Sequence, residues 1–334
     1  MLRTLPAISK PNIGRQCNIT GTDVPEAMIF RGDLLISSLS GSPRSISSIY
    51  YYDDNGSALY ERLCKEESYY LFRDERSILA RNAKSISGIT GPVSLVELGS
   101  GNAEKTLLLI TSYSEIFGSV NYAAIDINSS ILKRAAENIL SMKSDVNFTG
   151  IIGTYNTGLE KAATLVGPKL LLSLGSSVGN MYDDELCDLL GSVRSFLGRG
   201  DYFLVGIDLD KESDVLEAAY NNQSAILANL CVLQHLNWRF DGNFDLFQFR
   251  HVAFHNKSLF RMEGHLEAMQ AQSIDLKKLK FSFHLKKGEM IRTEIMRKVN
   301  LHRFHEMFIK YGLSPVHNWT DSNKRYAISL LQRG

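Results

Sequence analysis

Residues 93–101 read Val93-Ser94-Leu95-Val96-Glu97-Leu98-Gly99-Ser100-Gly101, and this stretch decides the fold. A short, mostly apolar run ended by a glycine turn is the mark of a strand buried on both faces. Glycine accepts left-handed backbone and has no Cβ, so Gly99 and Gly101 let the main chain approach a ligand closely. A helix is expected next, through Lys105 and Thr106 to about Ser114. Downstream the alternation repeats. Strands are expected over 122–127, 146–152, 169–174 and 202–208, with helices over 131–142 and 183–197 between them. Strands alternating with amphipathic helices predict an α/β fold with a doubly wound parallel sheet.

After Asp208 the pattern changes. A helical stretch over 212–236 leads into period-2 runs over 251–255, 259–268, 281–285 and 290–296, which predict an antiparallel sheet. The tail returns to a helix over 301–311 and two strands over 316–319 and 326–331. We therefore expect a doubly wound, Rossmann-like domain made of 83–210 plus 299–334. The remainder, 1–82 plus 211–298, is expected to form a second, α+β substrate-binding domain. Residues up to about Asn18 are expected to be a loosely docked arm.

Composition narrows the function. The 334 residues include 37 basic and 36 acidic side chains, for a net charge of +1. Nothing supplies the basic face that a nucleic acid requires, and the cluster Lys277, Lys278, Lys280, Lys286 and Lys287 reads as a solvated strand edge. Cys17, Cys64, Cys187 and Cys231 show no CxxC spacing, which fits reduced thiols in a cytoplasmic protein. No apolar run is long enough to span a bilayer, and the first twenty residues lack a secretory h-region. A small-molecule substrate is expected, with no nucleic acid, membrane or metal. Oligomeric state is not legible.

Two features of the glycine turn bear on the cofactor. The third glycine of a dinucleotide fingerprint falls at Glu104, and Glu97 is a poor neighbour for phosphates. A cationic sulfonium with an amino acid head tolerates both. Asp126 ends the second strand, where a carboxylate can accept hydrogen bonds from two ribose hydroxyls; its alternative is a turn or cap residue. Gly99, Gly101 and Asp126 together point to S-adenosylmethionine (SAM).

Further segments carry a resemblance. They are Tyr51-Tyr52-Asp53-Asp54-Asn55-Gly56-Ser57, Glu67-Ser68-Tyr69-Tyr70 with Arg73 and Glu75, and the loop extended through Asn102-Ala103-Glu104-Lys105-Thr106. Leu174-Gly175-Ser176-Ser177-Val178-Gly179-Asn180, Ala219-Tyr220, Asn243-Phe244-Asp245-Leu246, Thr293-Glu294 and Trp319-Thr320-Asp321 follow. From about Ser48 to Leu331 the chain resembles the histidine-specific methyltransferase family. The resemblance implies a class I methyltransferase fold and an enzyme that moves a methyl group from SAM to an amino acid nitrogen. It also implies that Gly99, Lys105 and Asp126 contact SAM, with Tyr52 close to its sulfonium. Tyr69, Asn180 and Tyr220 match positions that hold an amino acid's carboxylate and amine. Phenol and amide groups can bind a zwitterion without adding net charge.

The departures fall in the pocket. Thr154-Tyr155 stand where the family has an adenine-contacting Asp-Phe pair. Around the acceptor side chain the aligned residues are Gly264, Glu294 and Met296, in place of a methionine, a glutamate and a serine. Glu294 favours a histidine-like or arginine-like side chain, methylated at the α-amine or at a side-chain nitrogen. Glu263 is expected to be an exposed strand residue; as a second pocket carboxylate it would suit a guanidinium. His251 and His255 read as hydrogen-bonded strand residues, and His302 and His305 lack a third metal ligand. A dinucleotide oxidoreductase, a SAM-binding protein without catalysis, and an enzyme for a modified or indole-type amino acid are the competing readings.

Overall fold

The computed structural model describes residues 17–22, 26–143 and 145–334. The apolar runs become strands Ser94–Leu98, Val120–Asp126, Val146–Ile152, Lys169–Ser173 and Tyr202–Asp208, all mutually parallel. Their spatial order is 146–152, 120–126, 94–98, 169–173, 202–208. The chain thus leaves the first strand toward one edge and later returns to its other side. At that reversal the connecting loops diverge and leave a crevice outside the carboxyl ends of the strands, the usual ligand position in such sheets. Tyr326–Arg333 adds antiparallel to Tyr202–Asp208, and Leu313–Thr320 adds antiparallel to that strand.

At the opposite edge, Cys17–Gly21 runs parallel to Val146–Ile152. A piece of 1–82 therefore lies in the main sheet, contrary to the expected division of the chain. Its five residues are exposed or half-buried, as suits an edge strand, so no apolar alternation announces it. The rest of the expected N-terminal arm, 1–16, lies outside the described residues. The helix Tyr70–Thr90 also crosses position 82, burying Leu71, Ile78, Leu79 and Ile86 against the main core.

The remaining strands form a second layer. Arg44–Ser45, Met290–Arg297, Arg261–Ala268 and Phe249–Asn256 make a four-stranded sheet, and Gln272–Leu276 pairs with Phe281–Leu285 in a separate ribbon. The lysines of the basic cluster are exposed at the ends of that ribbon. The stretch expected as one helix over 212–236 is two, Ser213–Tyr220 and Gln223–Phe240. Asn222 makes the break: its side chain accepts a hydrogen bond from Ala225 N at 2.9 Å and caps the second helix.

Main-chain space is tight where the helix Tyr70–Thr90 packs on the main sheet. A Cβ on Gly206 would fall 1.9 Å from Glu75 Oε1 and 2.6 Å from the Tyr326 hydroxyl. Both atoms are buried and bonded to each other, at 2.9 Å, so neither can retreat freely. Gly206→Ala is therefore expected to cost about 3 kcal/mol, read as a clear fall in the melting temperature of the cofactor-free protein. An unchanged melting temperature would show that this junction is looser than its geometry.

Candidate active site

A cavity of about 630 Å³ opens at the reversal point of the sheet. Its floor is the turn after Ser94–Leu98, where Gly99 and Gly101 adopt φ of +65° and +52°. Asp126, ending the next strand, accepts from Gly101 N and Asn128 N, each at 3.0 Å. Each carboxylate oxygen thus takes one main-chain hydrogen bond and keeps a lone pair for a ligand hydroxyl. Burial raises the Asp126 pKa, and the main-chain donors oppose that shift. Glu97 also lines the cavity, accepting from Thr106 Oγ1 at 2.7 Å and from the Tyr122 hydroxyl. Burial pushes its pKa up to about 7.

Lys105 is at the rim of the cavity but its ammonium is paired with buried Glu75. Glu75 also accepts from Gly175 N at 2.8 Å, tying the helix Tyr70–Thr90 to the turn after Lys169–Ser173. Thr154 and Tyr155 both line the cavity. The Thr154 hydroxyl is engaged in capping the helix Tyr155–Ala162, accepting from Thr157 N at 3.3 Å. The Tyr155 hydroxyl lies over the glycine turn, 2.9 Å from where a Gly99 Cβ would sit. Burial takes its pKa up to about 12.

Of the residues expected to hold the acceptor and the sulfonium, Tyr52 and Asn180 line this cavity, and the others lie behind them in the second layer and the core. Asn180 Nδ2 donates to Glu294 Oε1 at 2.8 Å. Because a carboxylate only accepts, that contact fixes which end of the Asn180 amide faces Glu294 and leaves the amide oxygen turned away. Tyr52 lies beside both: burial and the Glu294 charge raise its pKa, and a hydrogen bond with Asn180 acts the other way. Tyr69 and Tyr220 meet edge to face, with ring centroids 5.9 Å apart. Gly264 is the register partner of Glu294, and Met296 is buried in the cluster that holds Tyr69 and Tyr220. Burial pushes Glu294 up to about 7, with the Lys298 ammonium pulling it down.

Of the expectations for nearby residues, the one for Glu263 changes, while His251 is a hydrogen-bonded strand residue as expected. Glu263 is buried rather than exposed, bound by Arg261 Nε at 2.8 Å and Asn256 Nδ2 at 3.0 Å. It points to the opposite face from Gly264, so it adds no second carboxylate beside Glu294. His251 joins the site from behind. Its Nε2 donates to the Tyr220 carbonyl at 2.9 Å, and its Nδ1 accepts from Asn229 at 2.8 Å. Asn229 in turn accepts from the hydroxyls of Tyr51 and Thr293, at 2.8 and 2.6 Å.

Sequence reasoning missed Lys298 and Asp208. Lys298 is 2% exposed and donates to Asp208 at 2.7 Å and to the Tyr220 hydroxyl at 3.0 Å. A period-2 count from Glu294 and Met296 reaches Lys298, so the signal was present.

A family model for SAM-dependent, histidine-specific methyltransferases matches residues 31–333. The chain belongs to the histidine-specific methyltransferase family. It is 30% identical over 297 residues to a histidine N-alpha-methyltransferase of Mycolicibacterium smegmatis, an alignment covering 88% of this chain and 92% of that one. It is 25% identical over 317 residues to an L-tryptophan methyltransferase of Psilocybe serbica, covering 86% and 88%. It is also 25% identical over 311 residues to an N-methyltransferase of Aspergillus fumigatus, covering 90% and 83%. This histidine-specific-family member is a SAM-dependent N-methyltransferase with the expected doubly wound α/β fold. Among the described residues no helix is long and apolar enough to cross a membrane.

The cavity's donor set fits SAM. Two left-handed glycines, a carboxylate with free lone pairs at the second strand end and acidic Glu97 accommodate a ribose and a cationic head, where a pyrophosphate would meet Glu97.

Proposed function

We propose that this enzyme methylates a nitrogen of a free amino acid whose side chain is polar or cationic. The observation that carries this reading is the Asn180–Glu294 contact beside Tyr52, with Tyr69 and Tyr220 as neighbours. SAM, when bound, supplies an electrophilic methyl group on a sulfonium. The chain's own residues then have three tasks.

The first is to hold the acceptor's backbone. Tyr220 and Tyr69 donate to the carboxylate, and the free oxygen of the Asn180 amide accepts from the amine. The second is to aim the amine lone pair. Transfer in line with the departing sulfur depends on positioning, and a neutral amine already carries its nucleophilic pair. The third is to read the side chain. Glu294 faces it with a carboxylate, and Gly264 leaves the adjacent register position without a side chain. In the cofactor pocket, Asp126 holds the ribose hydroxyls, Gly99 and Gly101 admit the ligand, and Tyr52 packs near the sulfonium. Thr154 and Tyr155 flank the adenine, and Lys105 anchors the rim through Glu75. Met296 closes the acceptor pocket on the core side.

A screen tests this directly. Purified protein, SAM and each free amino acid in turn are combined, and products are read by mass spectrometry. A mass gain on histidine or arginine, located by fragmentation, is the expected result. Reaction with tryptophan alone would replace this reading with an indole-type acceptor, toward which one relative's name points. No reaction with any amino acid, while SAM still binds, would end the free-amino-acid reading.

A further inference from the structure

The groups behind Tyr220 form a closed ionic cluster that the methyl-transfer chemistry does not itself require. Asp208 ends the strand Tyr202–Asp208, fully buried. It accepts from Lys298 at 2.7 Å, from Lys211 at 2.5 Å and from the Tyr70 hydroxyl at 2.8 Å. Two ammonium groups share this carboxylate, and the buried Lys298 charge, which also acts on Glu294, lies under the aromatic wall of the acceptor pocket. Such a charge, shielded from water, acts strongly on whatever the wall binds.

Hydrogen-bond chemistry makes the arrangement directional. An ammonium only donates, so the Tyr220 oxygen is the acceptor in its 3.0 Å contact with Lys298. The single phenolic proton must then be offered elsewhere. Asp208 already faces Tyr70 and the two lysines, and Tyr69 meets Tyr220 as a perpendicular ring. At the other end of the residue, His251 holds the Tyr220 carbonyl at 2.9 Å, so the backbone is anchored as well.

We propose that Lys298, held by Asp208, is a positioning residue that forces Tyr220 to act as a hydrogen-bond donor toward the acceptor's carboxylate. Lys298 never reaches the substrate; it sets the polarity of the group that does. The inference rests on the reading of Tyr220 as a carboxylate-binding residue. It extends that reading by assigning the enzyme's preference for acceptors with a free carboxylate to a buried ammonium.

The test is a double-mutant cycle on Lys298→Met, Tyr220→Phe and the combined protein, with Lys298→Arg as the variant that keeps a cationic donor. The acceptor is the amino acid that the wild-type enzyme methylates, L-histidine taken first, alongside its carboxamide, L-histidinamide. Each single substitution is expected to raise the acceptor KM about tenfold or more. The KM for SAM should stay within about twofold, since Lys298 lies outside the cofactor cavity. Measured at pH 9, where Glu294 stays ionised without help from Lys298, the combined protein should be no worse than Tyr220→Phe alone, and the carboxamide should be indifferent to Lys298→Met. Lys298→Arg should restore part of the loss, and it carries the test if Lys298→Met does not fold.

An equal further rise in KM when Lys298→Met is added to Tyr220→Phe would overturn the proposal. So would an unaltered KM in Lys298→Met while Tyr220→Phe is impaired. If Tyr220→Phe itself leaves KM unchanged, the carboxylate-binding reading fails first, and the inference about Lys298 falls with it.

Discussion

Asp126→Ala is expected to weaken SAM binding by about a hundredfold or more, the largest loss from any single side chain in the cofactor cavity. Two effects add. The carboxylate is positioned to take two ribose hydroxyls, and hydrogen bonds to a charged group contribute about 1.5–3 kcal/mol each. The same oxygens hold Gly101 N and Asn128 N, so removing them also frees the turn that forms the cavity floor. Asp126→Asn separates the two. Its amide can keep one main-chain contact and one acceptor, so its loss should be intermediate. Titration calorimetry with SAM and with its demethylated product reads both variants. Binding by Asp126→Ala within about threefold of wild type would remove Asp126 from the cofactor site.

How the chain announced this site differs from residue to residue. The central strands were legible because they are short, largely apolar or alternating runs ended by turns, and Val146–Ile152 and Tyr202–Asp208 fall on the expected residues. The glycine turn and Asp126 were legible because strand ends in a doubly wound sheet are where ligands sit. Local pattern could not show that Lys105 is occupied by Glu75, since that pair joins a loop to a helix far along the chain. It could not show that Thr154 spends its hydroxyl on a helix cap either, although a threonine ahead of a helix is the ordinary cap residue. Glu263 was misread because a charged residue between apolar neighbours on a strand normally faces water. Here a second polar layer, Arg261, Asn256 and His265, covers it. Lys298 shows the converse: its spacing was visible, but burial of a lysine becomes credible only when the partner carboxylate is in view.

Glu294→Gln carries the second large effect, and pH gives it a sign. Burial sets the Glu294 pKa at about 7, with Lys298 opposing that rise. The carboxylate is therefore ionised above pH 7 and is lost as pH falls below it. For an acceptor with a permanent cation, such as arginine, KM should climb as pH drops from 8 to 6. An imidazole behaves differently: it gains its own proton near pH 6.5, as the carboxylate gains one. One proton can then be shared between ring and carboxyl over that range, and the KM profile should be flatter. The shape of the profile thus reports the side-chain class independently of product analysis. Glutamine keeps an acceptor oxygen for Asn180, which sits 2.8 Å from the carboxylate, so the amide orientation survives while the charge is gone. The variant should raise acceptor KM by about 10- to 100-fold at pH 8 and flatten the acid limb, with SAM affinity retained. The alkaline limb, where the attacking amine loses its proton, should persist in both proteins. An acid limb unchanged in Glu294→Gln would mean that another group reads the acceptor side chain. Persistence of full acceptor affinity together with a flattened limb would instead mean that Glu294 governs the pH response without gripping the substrate.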